Sequence, residues 1–131
     1  MKKLISIMII FITVLSCSSD DGNNSKLIGK WEFDKTIENG VEYDDAALPG
    51  CDRNYFELKD SGIKLEIHHT GFPEACSFDT YTNNYFLENN IIKIINSPES
   101  TFEMKILLLT STTLKVSIYD GEMIKTFKRI E

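Results

Sequence analysis

Two adjacent histidines, His68 and His69, have side chains that could bind a metal ion or transfer a proton. Around them apolar and polar residues alternate, which is typical of a β-strand. Adjacent residues of a strand point to opposite faces, so the two imidazoles cannot chelate one ion. No third ligand is spaced nearby to complete a site. We therefore predict no metal site, with His69 on the apolar face of its strand and His68 in solvent.

Motifs for catalysis are missing from the sequence. It contains no Gly-x-Ser-x-Gly elbow, no phosphate-binding loop and no His-Glu-x-x-His motif. In so acidic a chain, paired carboxylates do not indicate a glycosidase. We predict that the protein is not an enzyme and uses no cofactor, and we keep a hydrolase only as a third hypothesis.

Length and charge narrow the class of protein. The chain has 131 residues, of which 42% are hydrophobic and 26% charged, which is typical of one globular domain. It carries 14 Lys and Arg against 20 Asp and Glu, a formal charge of −6. Nucleic acid is excluded as the main partner because phosphate binding requires a basic face.

The N-terminal residues are typical of a targeting segment. Lys2 and Lys3 precede an apolar run from Leu4 to Leu15, whose 12 residues are too few to span a bilayer. Val14-Leu15-Ser16-Cys17 resembles the lipobox of bacterial lipoproteins, which implies a signal peptide over residues 1–16 and a lipidated, palmitate-bearing Cys17. The alternative is a secretory peptide that is cleaved further along the chain.

Residues 17–26 are predicted to form the lipidated cysteine and a flexible polar tether, because Ser18 to Lys26 contains no apolar residue. Asp20-Asp21 resembles the tag that exports lipoproteins to the cell surface in one group of Gram-negative bacteria. The resemblance implies a protein anchored by lipid in the outer membrane and exposed at the surface. The alternative for the acidic pair is a plain solvated linker.

Cys51 and Cys76 are the two cysteines that remain in such an exported domain. An oxidising compartment favours a disulfide between them. Closing a loop of this length stabilises a fold by about 3 kcal/mol in the chain-entropy model. The alternative is a redox-active or metal-binding thiol pair.

Residues 27–131 are predicted to form the domain, as a series of short strands. Apolar residues alternate with polar ones in several segments: Trp31 and Phe33; Phe56 and Leu58; Ile63, Leu65 and Ile67; Phe102, Met104 and Ile106; Leu114, Val116 and Ile118. Turn signals separate them, the strongest being Asp120-Gly121. About eight strands without a covering helix favour an all-β antiparallel up-and-down barrel, because closure hides the apolar face and removes the edges. A two-sheet sandwich is the alternative.

Gly29-Lys30-Trp31 on the first strand resembles the Gly-x-Trp motif of lipocalins, and Arg129 lies where lipocalins place a basic residue against that Trp. The resemblance implies a lipocalin-like domain of a small bacterial lipoprotein, with the indole of Trp31 closing one barrel end and the guanidinium of Arg129 stacked on it as a cation–π contact. Further matching positions are Cys51, Ser61-Gly62, Cys76, Tyr85-x-Leu87 and Leu109-Thr110-x-Thr112-Thr113-Leu114.

We therefore expect a monomer that binds a small apolar molecule in the barrel mouth. The residues expected to contact it lie on the apolar faces of their strands: Phe56, Leu65, Ile67, His69, Tyr85, Phe102 and Met104. The alternative is a filled barrel that serves as an interaction module and contacts a protein or glycan through its loops.

Overall fold

The computed structural model describes residues 19–72 and 75–131. One helix precedes nine strands: α1 (Ser19–Leu27), β1 (Gly29–Glu38), β2 (Val41–Asp44), β3 (Tyr55–Leu58), β4 (Ile63–Phe72), β5 (Ala75–Glu88), β6 (Ile91–Ser97), β7 (Ser100–Leu109), β8 (Thr113–Ile118) and β9 (Met123–Arg129). The predicted signal peptide and Cys17 lie outside the described residues.

Eight of the strands form a closed antiparallel barrel. The sheet order is β2-β1-β3-β4-β5-β6-β7-β8-β9, and β1 also pairs with β9 to close it. The predicted up-and-down barrel is therefore confirmed, and the two-sheet alternative is wrong. β2 is an additional strand, which pairs with the second half of β1 on the same edge that β3 uses for the first half.

The additional strand lies between Glu38 and Cys51, a segment for which we predicted no strand. Asn39 and Gly40 both adopt positive φ angles and form the tight turn between β1 and β2. Asn-Gly is favoured in such hairpin turns because both central residues need a left-handed backbone. The signal was therefore present in the sequence. The Asn89-Asn90 turn between β5 and β6 has positive φ at both residues as well.

The two ends of the barrel differ. At one end, which we call the closed end, the core packs tightly around Trp31, with Leu58, Ile92 and Leu114 fully buried beside it. Because neighbouring strands run in alternate directions, their other ends also meet, at the opposite end of the barrel, which we call the mouth. The β4–β5 hairpin extends there, because Phe72 pairs with Ala75 at its tip.

Helix α1, which the sequence analysis did not predict, occupies part of the segment predicted as a flexible tether. The helix ends at Leu27, which is fully buried, and its carbonyl accepts a hydrogen bond of 2.8 Å from Trp31 Nε1. Asn23 Nδ2 also donates to Asn90 Oδ1 at 3.1 Å. Tertiary contacts with the closed end thus hold a helix that has no apolar stripe of its own.

No helix within residues 19–72 and 75–131 is long and apolar enough to cross a membrane. The segment from Ser19 to Glu131 contains the complete barrel, its core and its closing strand pair. We therefore expect it to fold without the preceding residues.

Candidate functional site

The closed end is built around the ring of Trp31. The guanidinium carbon of Arg129 lies 4.3 Å from the ring centroid, which is a cation–π contact. Arg129 also donates from Nη1 to the Ile28 carbonyl at 2.7 Å and from Nε to the Ser111 carbonyl at 2.8 Å, and Nη2 contacts the Lys26 carbonyl. One side chain thus ties the helix end, β9 and the β7–β8 turn together.

Gly29 is required at this end for two reasons. Its φ of 135° is unfavourable for any residue with a Cβ. A Cβ there would also collide with Arg129 Nη1 and lie 2.6 Å from the Glu131 carbonyl oxygen. The first position of the Gly-x-Trp motif therefore leaves room for the arginine that covers the tryptophan.

Gly29→Ala is expected to lower the free energy of unfolding by about 1–3 kcal/mol, through backbone strain and displacement of Arg129. Gly40→Ala is the matched control, since Gly40 also has a positive φ of 79° but nothing lies near its Cβ position. Urea unfolding of both variants measures the difference. Equal losses in the two variants would contradict a steric role for Gly29.

The predicted disulfide is confirmed. Cys51 and Cys76 are bonded, with their Cα atoms 5.5 Å apart. The bond joins the loop before β3 to the first residues of β5. It therefore lies at the mouth, where it attaches the β4–β5 hairpin to the rest of the barrel.

The mouth opens into a cavity of about 250 Å³, which we call the cup. Apolar side chains line most of it: Phe33, Phe56, Ile94, Phe102, Met104, Ile118 and Phe127. The rings of Phe33, Phe56 and Phe127 meet edge to face, with centroids 4.9 to 6.3 Å apart. Four polar residues complete the lining: Lys64, Glu66, His68 and Lys125.

A wider space of about 400 Å³ adjoins the cup at the mouth. It shares Lys64, Glu66 and His68 with the cup and adds the polar residues Tyr81, Asn83 and Asn96. The interior of the barrel is therefore filled by the protein's own side chains in the closed half and is an open space in the other half. An apolar molecule could enter this space while a polar group of the same molecule stays near the rim.

Three of the residues predicted to contact a ligand line the cup, namely Phe56, Phe102 and Met104. Tyr85 also points inward, but its hydroxyl donates to the Lys59 carbonyl at 2.7 Å in the turn at the closed end. Its side chain belongs to the packed half of the barrel. The prediction that it lines the ligand space is therefore wrong.

The predicted orientation of β4 is also wrong. Glu66 pairs with Phe56 across β3 and β4, and directly paired residues point to the same face. Glu66 therefore faces the cup with Lys64 and His68, while the alternate residues face outward: Leu65, Ile67 and His69. A shift of one residue exchanges the two faces of a strand. The more apolar face of β4 was assigned to the interior, and this placed every side chain of the strand on the wrong side.

The missed residues carried a recognisable signal. Lys64, Glu66 and His68 occupy alternate positions, so they share one face of the strand with opposite charges side by side. Such groups can satisfy one another inside a barrel. On the outer face, Ile67 is still buried, paired with Tyr55 of the neighbouring strand.

The three polar residues of β4 form a connected group. The carboxylate of Glu66 contacts both Lys64 Nζ and His68 Nε2. Burial lowers the pKa of Lys64 to about 8, so the ammonium beside the Glu66 carboxylate is still charged at neutral pH. Burial also lowers the pKa of His68, as do the ammonium groups of Lys64 and Lys125, whereas Asp79 acts in the opposite sense. At pH 7 His68 is therefore neutral.

Lys125 is the fourth polar residue in the lining of the cup. Its ammonium donates to Thr36 Oγ1 at 3.1 Å, and the same hydroxyl donates to Asp45 Oδ2 at 2.7 Å. The ammonium also lies 5.3 Å from the centroid of the Phe33 ring. Within the described part of the chain Lys125 forms no salt bridge, so its charge reaches a carboxylate only through the threonine hydroxyl.

Lys125→Met is expected to raise the pKa of His68 toward its ordinary value of 6.5, because it removes one of the positive charges that lower it. The titration can be followed by NMR of the imidazole protons. Lys105→Met, on the outer face of β7, should leave the midpoint unchanged. An unchanged midpoint in both variants would show that Lys125 does not act on the cup.

The described residues contain no cluster of three or more histidine, cysteine or acidic side chains that could hold a metal ion. His68 faces the cup and His69 faces outward, where its ring lies 6.3 Å from that of Phe78. The two imidazoles therefore point to opposite faces, as strand geometry requires.

Comparison with solved structures finds one of similar fold. It is a lipocalin-like protein from Bacteroides uniformis, with a TM-score of 0.63 and 20% sequence identity. The alignment covers 80% of this chain and 99% of the other. No family model matches the sequence, and no curated protein matches it.

A closed eight-stranded antiparallel barrel with a Trp-covered end and an open mouth defines a lipocalin-like fold, and the similar structure has the same fold. Lipocalin-like proteins are typically non-enzymatic. At this level of identity the likeness describes the fold alone, so the function has to be argued from the residues of the cup.

Proposed function

We propose that this protein binds a small, mainly apolar molecule in the cup. The observation that carries the proposal is the division of the barrel into a packed half and an open half, the open half being lined by seven apolar side chains. Eight-stranded barrels of this size hold either their own side chains or one small ligand. Here the ligand would contact Phe56, Phe102 and Met104, and its polar part would lie among the four polar residues of the cup lining.

We further propose that lipid on Cys17 anchors the protein in the bacterial outer membrane. Helix α1 supports this arrangement, because it begins at Ser19 and packs against the closed end of the barrel. A lipid attached just before the helix would hold the closed end toward the membrane. The mouth would then face away from it and accept ligands from the aqueous side.

One observation favours the alternative of an interaction module. Phe78 and Tyr81 are exposed by 63% and 52% on the extended β4–β5 hairpin. Exposed aromatic side chains are frequent at protein interfaces. In that case the hairpin would contact a partner protein or glycan, and the cup would stay empty.

Native mass spectrometry of residues 19–131 exported to an oxidising periplasm, before and after organic extraction, tests ligand binding. We expect an extractable adduct on the parent. Met104→Trp should abolish it by filling the cup, whereas Leu107→Trp, on an exposed position of the same strand, should retain it. Circular dichroism confirms that both variants fold. An adduct retained equally by both variants would place the ligand outside the cup.

A further inference from the structure

We propose that the ligand of the cup is an amphipathic monocarboxylate, whose carboxylate is bound by Lys125 and whose apolar chain lies against the phenylalanine rings. This inference rests on the proposed function and names the chemical class of the ligand. It depends on the charges inside the cup, on the hydrogen-bond donors left on Lys125 and on the separation of polar and apolar lining.

The charges that line the cup do not cancel. Lys64 and Glu66 contact each other and compensate, and His68 is neutral because its pKa is lowered. Lys125 contributes a further positive charge, and no carboxylate among the described residues contacts it directly. The lining therefore carries one positive charge in excess. A monoanion neutralises it, whereas a neutral ligand leaves it in place.

His68, which also lines the cup, provides a second indication that the electrostatic potential there is positive. Burial is the largest cause of the lowered pKa of His68, the ammonium groups of Lys64 and Lys125 lower it further, and Asp79 acts in the opposite sense. Burial disfavours a charge of either sign, but the contribution of the two ammonium groups favours an anion over a cation at this position. His68 directs its Nε2 to Glu66, so this nitrogen is not free to bind the ligand.

Lys125 has donors available for the ligand. An ammonium has three N–H groups, and the described contacts use one of them, on Thr36. The Thr36 hydroxyl donates its own proton to Asp45, which orients it as an acceptor for Lys125 and positions the ammonium at the cup wall. The remaining two donors can bind carboxylate oxygens. A dianion would exceed the excess charge and lie near Glu66 and Asp45, so one negative charge fits best.

The apolar part of the lining lies next to this ammonium. Lys125 Nζ is 5.3 Å from the Phe33 ring centroid, and that ring packs against Phe56 and Phe127 at centroid distances of 6.3 and 5.2 Å. A chain attached to a carboxylate at Lys125 would pass directly onto these rings. The charged and apolar ends of the molecule are thus matched by adjacent parts of the wall.

Calorimetric titration of residues 19–131 with octanoate and with 1-octanol at pH 7 tests the inference. The two probes share a chain length and differ in the charged group. We expect octanoate to bind about tenfold more tightly than 1-octanol, the usual advantage of a hydrogen bond to a charged group. Lys125→Met should remove that advantage, so that the two probes bind the variant with similar affinity. Lys125→Arg and the outer-face variant Lys105→Met should keep it.

Equal affinity of the parent for the two probes would overturn the carboxylate assignment and leave the proposed binding of apolar molecules intact. A preference for octanoate that survives in Lys125→Met would assign the carboxylate to another group and also overturn the inference. Binding of neither probe, together with no extractable adduct, would overturn the proposed function as well. The comparison of probes on the parent protein needs no variant, so a variant that fails to fold does not prevent the test.

Discussion

Replacing Trp31 by alanine is expected to lower the free energy of unfolding by about 3–5 kcal/mol, the usual cost of removing a large buried aromatic side chain. Trp31 is fully buried at the closed end. The substitution leaves a cavity, removes the ring beneath Arg129 and leaves the Leu27 carbonyl without its 2.8 Å hydrogen bond. Helix α1 should also be held less firmly, because it loses this contact and keeps those of Lys26 with Arg129 and of Asn23 with Asn90.

Urea unfolding followed by far-UV circular dichroism measures this effect, since Trp31 is the one tryptophan and its fluorescence is lost in the variant. Phe78→Ala is the matched control. It also deletes an aromatic ring, but from a side chain that is largely exposed, so a change within about 0.5 kcal/mol is expected. A Trp31→Ala protein as stable as Phe78→Ala would refute the role of the tryptophan in closing the barrel.

The second large effect concerns the disulfide. Replacing Cys51 and Cys76 together by alanine should lower the free energy of unfolding by about 3 kcal/mol, because the unfolded chain regains the freedom of a closed loop. The two cysteines are separated by 25 residues in the sequence. The loop contains β3 and β4, so the loss affects the wall that carries Lys64 and Glu66.

Reductant supplies the control for this pair of substitutions. Dithiothreitol should destabilise the parent to the level of the double variant and should not affect the double variant. A double variant within 0.5 kcal/mol of the oxidised parent would contradict the expected contribution of the bond. Loss of octanoate binding in a double variant that still folds would show that the bond also holds the wall of the cup in place.

Local sequence signals predicted much of the fold correctly. Alternating apolar residues identified the strands, and the absence of a covering helix favoured a closed barrel. The Gly29-x-Trp31 motif and Arg129 were identified together, and the structure places them in contact. Cys51 and Cys76 were paired correctly from compartment and number alone. Strand β2 was missed although Asn39-Gly40 indicates a hairpin turn.

The site was predicted less well, because hydropathy does not distinguish the inside of a cup from the outside of the barrel. The more apolar face of β4, with Leu65 and Ile67, was assigned to the interior. In the structure Lys64 and Glu66 occupy the interior, where they compensate each other's charge. Burial of a charge is tolerated when it is paired, so a polar residue on a strand is not evidence for an outward orientation.

The sequence by itself determined that residues 27–131 form a closed antiparallel barrel. Alternating apolar and polar residues give each strand one apolar face, and a sheet without a covering helix has few ways to bury that face. It also determined which residues close one end. Only the tertiary structure decided which face of β4 lines the cup, since that depends on its register with β3 across the turn. There Leu58 pairs with Lys64, and a shift of one residue would have reversed every side chain. Register is a property of two strands together, and neither strand's own pattern contains it.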